Sequence, residues 1–427
     1  MVAVTSAGIR QSSRQAVSAA VIGNVLEWYD FAVYGFMAAI IGKNFFPSGD
    51  EVSQLLAAFA VYGVGFLARP IGGVVIGRIG DTKGRKTALI LTIMLMAVGT
   101  VLIGIIPTYA TIGVLGPLLI LVARLMQGFS AGGEWGGSTA FIVEWADEGE
   151  RGFLGSFQQC SVAGGLLLGS GVAALITTLL DPAAMEAWGW RVPFLLGALL
   201  GPVGMYMRRN IDETPAYQRA MREPEPARSP DDATPFWLAA RAFGFTILWT
   251  VAFYIFLNYM PTFTKTYAKL SSAEALWSNT IGLLVLVAAI PVMGLLSDRI
   301  GRKPLLLTCC ICFIVLPYPV FALILSAPPL GVIITIQIVF GVIIALFSGA
   351  GPAAISEIFP TRIRSTWMTT GYALSVAIFG GFAPYIATWL IAHTGSPISP
   401  VFYVIGAAII STIVIARLKE TAHEKLR

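Results

Sequence analysis

Twelve stretches of this chain are apolar, and most reach the roughly 20 residues that a helix needs to cross a bilayer. They lie at approximately 17–43, 52–77, 87–107, 111–143, 152–180, 191–208, 238–262, 274–296, 304–326, 330–356, 364–393 and 400–418. Charged residues make up only 12% of the 427 positions and hydrophobic ones 56%, against about 25% charged in a soluble domain. The expected fold is therefore an all-α polytopic membrane protein of twelve transmembrane helices in two pseudo-symmetric six-helix bundles.

An even number of spans puts both termini on one side, and the basic residues say which. Of the 28 lysines and arginines, only Lys43, Arg191, Lys265 and Lys269 fall on the side opposite the termini, and only Arg69 and Arg124 within spans away from their ends. That bias puts both termini in the cytoplasm of a bacterial inner-membrane protein. It also accounts for the net charge of +5 without nucleic acid as a partner. The opening "MVAVTSAGIRQSSRQ" lacks a cleavage site and runs into a full span, so residues 1–16 read as a cytoplasmic tail and not a signal peptide. Cys160, Cys309, Cys310 and Cys312 sit in apolar runs, far from His393 and His423 or without ligand spacing. They read as structural thiols, with no metal site and no cofactor.

Composition changes abruptly at "ETPAYQRAMREPEPARSPDDATP", from Glu213 to Pro235, rich in proline and charge. Residues 209–237 are read as a cytoplasmic linker between bundles at 17–208 and 238–418, with a cytoplasmic tail at 419–427. Internal repetition supports the division: "GRIGDTKGRK" at 77–86 and "GLLSDRIGRK" at 294–303 match at an offset of 217 residues. Glu144 with Arg151 and Glu357 with Arg364 repeat at an offset of 213. Duplicated six-span halves put a substrate cavity at their interface near the midplane, opened alternately to each side by rocking. An enzyme needs no such duplication.

The glycine-aspartate-basic loop in both halves resembles the loop motif of the major facilitator superfamily. The blocks "GNVLEWYDFAVYGF", "FLARPIGGVVIGRIGDTKGRK", "RLMQGFSAGGEWGG", "ERGFLGSFQQCS", "WGWRVPF" and "DETPAYQ" resemble its metabolite:proton symporter branch, and "GLLSDRIGRKP", "SEIFPTRIRSTWM" and "AIFGGFAPYIATWL" extend the likeness into the second half. That branch includes permeases for 2-oxoglutarate, citrate, shikimate, and proline or betaine. The resemblance implies proton-coupled uptake of a small polar solute by a functional monomer.

The charges inside the spans give the same blocks a physical reading. At 100° per residue, Gly23, Glu27, Asp30 and Tyr34 fall within about 60° of one another on the first span. On the fourth, Arg124, Gln127, Ala131, Glu134, Trp135 and Ser138 share one side, and Arg69 lies within the second. A carboxylate at the bilayer centre costs something like 2.5 to 3.5 kcal/mol on insertion scales, which marks such residues as functional candidates. Asp30, Glu27 and Glu134 are the expected proton carriers. Arg124 and Arg69 are expected to hold a substrate carboxylate through the guanidinium fork, with Tyr34, Gln127 and Gln158 beside them. Buried ion pairs that only lock helices together are the competing reading.

Apart from its helix ends the second half carries no charge within its spans, so it must supply neutral contacts and aromatic walls. Tyr254, Asn258, Tyr259, Gln337 and Tyr372 are the candidates, with helix packing as the alternative for each. "GFSAGGEWGG" and "GGLLLGSG" space small residues for close helix approach, and no strand precedes them to make a phosphate loop. The fifth span lacks the Gly-Pro pairing of the superfamily's antiporter pattern, which favours symport. The loops look like a cytoplasmic gate, pairing Asp81 with Arg85, Asp298 with Arg302, Glu144 with Arg151 and Glu357 with Arg364. "AIFGG" at 377–381 resembles the citrate and 2-oxoglutarate permeases, and a chain ending at 427 carries no long heptad tail. Both favour a di- or tricarboxylate over an osmolyte such as proline or betaine, with a receptor that binds a metabolite without moving it as the reading outside transport.

Overall fold

A computed structural model describes residues 6–83, 85–144, 146, 149–197 and 234–424, and among them there is no strand. Helix α1 runs Ser6–Phe45, α2 Glu51–Lys83 and α3 Arg85–Ile105. Helix α4 has two parts, Leu115–Ser130 and Glu134–Glu144, joined by the 3-10 turn Ala131–Gly133. Helix α5 is Arg151–Leu179, and α6 opens at residue 192 and is described to 197. In the second half α7 runs Pro235–Phe253, passes through a π turn at Tyr254–Tyr259 and ends as Met260–Tyr267. Then come α8 (Ser272–Ile300), α9 (Arg302–Val315, bent by 45° into Pro317–Leu325), α10 (Leu330–Glu357), α11 (Thr361–Ser375, a π turn at Val376–Gly380, then Ala383–Thr394) and α12 (Pro400–Arg417). Among the described residues seven helices are long and apolar enough to cross a membrane, or eight counting the bent α9.

Two helices begin inside stretches read from the sequence as tail or linker. Helix α1 starts at Ser6, inside the stretch read as a tail, and α7 starts at Pro235, three residues inside the expected linker. Proline at the first helical position loses no hydrogen bond, so Pro235 opens α7 naturally. The rest of the expected linker, through residue 233, lies outside the described residues.

Local chemistry shapes the helices that matter for the interior. Pro317 cannot donate to the preceding turn and its ring clashes there, which accounts for the bend in α9. Ser271 and Glu274 close a capping box at the start of α8. The π turn of α7 unsettles its hydrogen-bond ladder, and Asn279 Nδ2 on α8 donates to the carbonyl of Leu257 there at 3.1 Å.

Helices α1 and α5 run side by side in the same direction: Gly165 lies against Val25 and Trp28, and Gly169 against Tyr29, Ala32 and Val33. At the start of α5, Arg151 Nη1 donates to the Glu424 carbonyl at 2.8 Å, so the beginning of α1 and the end of the chain share a face. We call this the terminal face and the opposite one the distal face. A close approach needs glycine at Gly128, where a Cβ would collide with the carbonyl of Gly65, so α4 packs backbone to backbone on α2. Gly152 and Gly294 do the same between α5 and α8, across the two halves.

Candidate functional site

Four helices of the first half meet around two arginines that the packing has removed from solvent. Arg124 is fully buried and Arg69 is 3% exposed. The Arg124 guanidinium lies 4.6 Å from the rings of Phe31 and Tyr34 and 5.0 Å from Tyr62. Arg69 lies 5.1, 4.6 and 4.4 Å from Trp28, Phe31 and Phe66. Desolvated contacts of this kind contribute roughly 2 kcal/mol each, so ring faces offset part of the cost of burying both cations. Phe31 is common to the two cages. In both arginines Nε and Nη2 have no hydrogen-bond partner. Those two atoms form the edge of the guanidinium that takes a carboxylate with two parallel bonds.

Arg124 Nη1 donates to Gln127 Oε1 at 2.8 Å, and Gln127 Nε2 donates to Thr100 Oγ1 on α3 at 2.9 Å. Thr100 Oγ1 donates in turn to Asp30 Oδ2 on α1 at 2.6 Å. A buried, continuous chain thus joins a carboxyl on α1 to a cation on α4. Asp30 Oδ1 has no partner and looks toward Gly197 of α6, so the carboxyl sits inside the first bundle and not on the interface between halves. Glu27, one turn earlier, is also buried. The side chain of Glu134 lies outside the described residues. Tyr34 donates to the Ala58 carbonyl at 3.2 Å and stacks on Tyr62.

Between the halves lies a small cavity lined by Trp28, Gln159 and Val162 from the first half and Thr246, Trp249, Thr250, Phe253, Tyr254 and Tyr372 from the second. Five of the nine are aromatic and none is charged. Thr250 Oγ1 and Tyr254 Oη are buried without a partner. The ring of Trp28 separates this space from the Arg69 guanidinium. Below it Trp135 stacks on Tyr372 at 3.5 Å and 3°, a contact between halves, and Trp249 closes the edge of both rings while its Nε1 donates to Ser348 Oγ at 3.1 Å.

Of the residues proposed from sequence, Tyr254 and Tyr372 line the cavity, whereas Gln158 is buried outside that lining and its neighbour Gln159 takes the place. One residue is a 100° turn of the helix, so α5 presents the second glutamine of the pair. Asn258 abuts Gly35 of α1, and Tyr259 packs its ring edge-on against Phe59 at 5.8 Å while its hydroxyl accepts from Thr388 at 3.4 Å. Both close the interface beside the cavity and do not line it. Gln337 is buried against Gly282 between α10 and α8. Sequence reasoning missed Thr100, since a threonine within an apolar helix ordinarily bonds to its own backbone, and this one does so too, to Met96 O at 3.0 Å.

On the terminal face Asp298 accepts from the main-chain N–H groups of Gly152 and Phe153, both at 2.8 Å. These amides open α5, so a carboxylate of the second half sits on a helix N-terminus of the first, where the dipole favours it. Arg302 Nη1 donates to the same carboxylate at 2.7 Å, and its Nη2 reaches Glu357 Oε1 at 3.3 Å. Arg151 lies 3.8 Å from Glu357. The expected partner of Glu357 was Arg364; Arg364 instead directs Nε and Nη2 to the carbonyls of Ser356 and Phe359, closing the end of α10. Glu420 accepts from the main-chain N–H groups of Arg302 and Lys303 and of its own neighbours Thr421 and Ala422. Burial pushes that carboxyl up, but the four amides outweigh it and hold Glu420 below the usual range. The side chains of Asp81, Arg85 and Glu144, the expected first-half counterparts, lie outside the described residues. The distal face is bridged without charge, by Ser170 to Thr280 at 2.8 Å and Trp277 to Thr178 at 3.1 Å.

Comparison with known proteins agrees with this architecture. The family model "Sugar (and other) transporter" matches residues 16–232 and "Major Facilitator Superfamily" matches residues 260–427. The Proline/betaine transporter of Escherichia coli (strain K12) is 36% identical over 433 residues, 97% of this chain and 85% of that protein. The Citrate-proton symporter of Klebsiella pneumoniae is 37% identical over 391 residues, 91% and 87% of the two chains. Among solved structures, the partially occluded inward open xylose transporter XylE from E. coli superposes with a TM-score of 0.79 at 18% identity, covering 97% of this chain and all of that one. Helices without strands among the described residues, apolar spans in both halves, and relatives matched over 85% or more of their own length lead to one assignment: the chain is a multi-pass membrane protein of the major facilitator superfamily, in the branch that holds the proline/betaine transporters and the citrate-proton symporters.

Proposed function

We propose that the protein is a proton-coupled symporter that carries a small carboxylate-bearing solute inward across the bacterial cytoplasmic membrane by alternating access. It works as a monomer with both termini in the cytoplasm, protons are the coupling ion, and no cofactor is needed. The observation that carries the reading is the hydrogen-bonded chain from Asp30 through Thr100 and Gln127 to Arg124, whose fork edge has no partner. A carboxyl that takes up a proton within reach of a cation alters that cation's affinity for an anion, and by linkage the anion alters the proton's affinity. Glu27 and, by position, Glu134 are the further proton candidates, while Arg69 and Arg124 with Tyr34 and Gln127 hold the substrate anion and Tyr372 supplies a wall.

Two guanidinium groups with unpartnered forks support an organic acid with more than one carboxylate as substrate. A specific observation favours a second reading: the cavity between the halves is lined by aromatic rings and neutral groups, a lining suited to the methylated ammonium of a zwitterion such as betaine. The terminal-face cluster around Asp298 and Arg302 serves as the cytoplasmic gate, released when the halves rock apart.

The test is uptake into proteoliposomes of radiolabelled citrate, 2-oxoglutarate, succinate, proline and betaine, with and without an inward proton gradient. Gradient-stimulated accumulation of an acid supports the first substrate reading, and of betaine or proline the second. Specific binding of one of them with no uptake under any gradient would replace the symporter with a receptor.

A further inference from the structure

Asp30 does not line the cavity between the halves, so whatever couples them has to pass through the side chains between. The first of these is Thr100, fully buried on α3. Its hydroxyl carries one proton but has two acceptors in range, Asp30 Oδ2 at 2.6 Å and its own helix carbonyl Met96 O at 3.0 Å, and it accepts from Gln127 Nε2. The orientation of Gln127 is dictated by Arg124, which only donates and so requires Oε1, leaving Nε2 for Thr100.

We infer that Thr100 is the positioning residue of proton coupling, its hydroxyl turning between Asp30 and the Met96 carbonyl as Asp30 loses and gains its proton. With Asp30 ionised, the hydroxyl donates to Oδ2 and its lone pair takes the Gln127 amide. When a proton from the aqueous side adds to Asp30, the new O–H donates to Thr100 Oγ1. The threonine proton then swings to Met96 O, and the second lone pair still holds Gln127. Every hydrogen bond that links Asp30, Thr100, Gln127 and Arg124 keeps a donor and an acceptor in both states, so loading the proton breaks none of these links, and a broken one would leave a buried group unsatisfied at the cost of a lost hydrogen bond. A valine fills the same space and meets neither requirement.

Among the described residues the charged groups acting on Asp30 are Arg124 on α4 and Glu27 on its own helix, and Tyr29 is the titratable neighbour. Helix α3 faces it with Thr100 and the described part of α6 with Gly197, neither of them charged.

The inference rests on the proton-symport reading above, and two measurements separate their failures. The first is the infrared band of protonated Asp30 in the purified full-length protein, identified by its loss in Asp30→Asn and followed against pH. The second is the ratio of gradient-driven accumulation to exchange for radiolabelled citrate and betaine in proteoliposomes. In Thr100→Val the band should persist to higher pH than in the parent protein, and the ratio should fall about tenfold, the size of one hydrogen bond to a charged group. Thr100→Ser should restore both, and Thr100→Ala repeats the loss with a smaller side chain if valine prevents insertion. An unchanged band in Thr100→Val and Thr100→Ala, or equal failure of serine and valine, overturns the role of Thr100. If the parent protein accumulates none of citrate, 2-oxoglutarate, succinate, proline and betaine, the symport reading falls, and the infrared arm still decides whether Thr100 governs the proton on Asp30.

Discussion

The two halves of the molecule share a loop motif, at 77–86 and 294–303, yet differ in what they bury. In the first half, Asp30, Glu27, Arg69 and Arg124 lie inside the bundle, the arginines caged by aromatic rings. The second half places Trp249, Phe253, Tyr254 and Tyr372 against the cavity, and its described buried charges, Asp298, Arg302 and Arg364, lie at the terminal face. The difference teaches a division of labour. Ionisable groups that interact must be close and dry to influence one another, and on the proposed function the coupling groups do so in the first bundle, while the second would offer shape, rings and a latch.

The division makes graded predictions. The largest effect should come from Asp30→Asn, which cannot carry a proton: accumulation should fall about a hundredfold while exchange persists, since the anion site keeps its cation. Flux at equal and opposite substrate concentrations, compared with uphill uptake, reads the difference. Normal uphill uptake by an inserted mutant would break the comparison at its base.

Arg124→Ala should come next, weakening carboxylate substrates by about a hundredfold and uncharged analogues far less, because a desolvated charge partner is worth roughly 2 to 5 kcal/mol. Competition binding in detergent measures it, and equal loss for both classes would make Arg124 a packing residue. Arg124→Lys should recover little, since an ammonium cannot reproduce the fork.

A smaller effect is expected from Asp298→Asn, which keeps the side chain's shape but removes the charge that faces Arg302 and the α5 amides. A cysteine introduced at Gln159 should then react about tenfold faster with a membrane-impermeant thiol reagent offered from the terminal face, as the latch loses a charge-assisted bond. The smallest belongs to the second half's walls. Trp249→Leu should weaken betaine by about threefold to tenfold and citrate hardly at all if the rings receive a methylated ammonium; an unchanged affinity for both would leave recognition of the substrate to the first half.

Much of the fold could be read in the apolar runs, because a bilayer imposes a length on every span and a basic bias on one set of loops. Within the site, Asp30 and Arg124 stood out because charge in an apolar helix is costly, and helical spacing put Gln127 on the same side as Arg124. Thr100 carries no such mark. Gln158 and Gln159 are adjacent, and choosing between them needs a helix rotation that packing alone sets. Nor could sequence show that Asp298 reaches amides at Gly152 and Phe153, since a carboxylate's partner there is main chain and any sequence offers it. Asn258 and Gln337 were polar residues in apolar spans, and the structure packs them against Gly35 and Gly282 while leaving Asn258 Oδ1 and Gln337 Nε2 without a hydrogen-bond partner.

The claim that the first half couples protons to an anion is tested most directly by recording proton movement and substrate entry together, in proteoliposomes loaded with a pH dye. With no imposed gradient, adding the solute that the protein accumulates should acidify the lumen in step with its entry, and the acidification should vanish in Asp30→Asn while counterflow continues. Solute entry without lumenal acidification in the parent protein, or acidification that survives Asp30→Asn unchanged, would contradict the account.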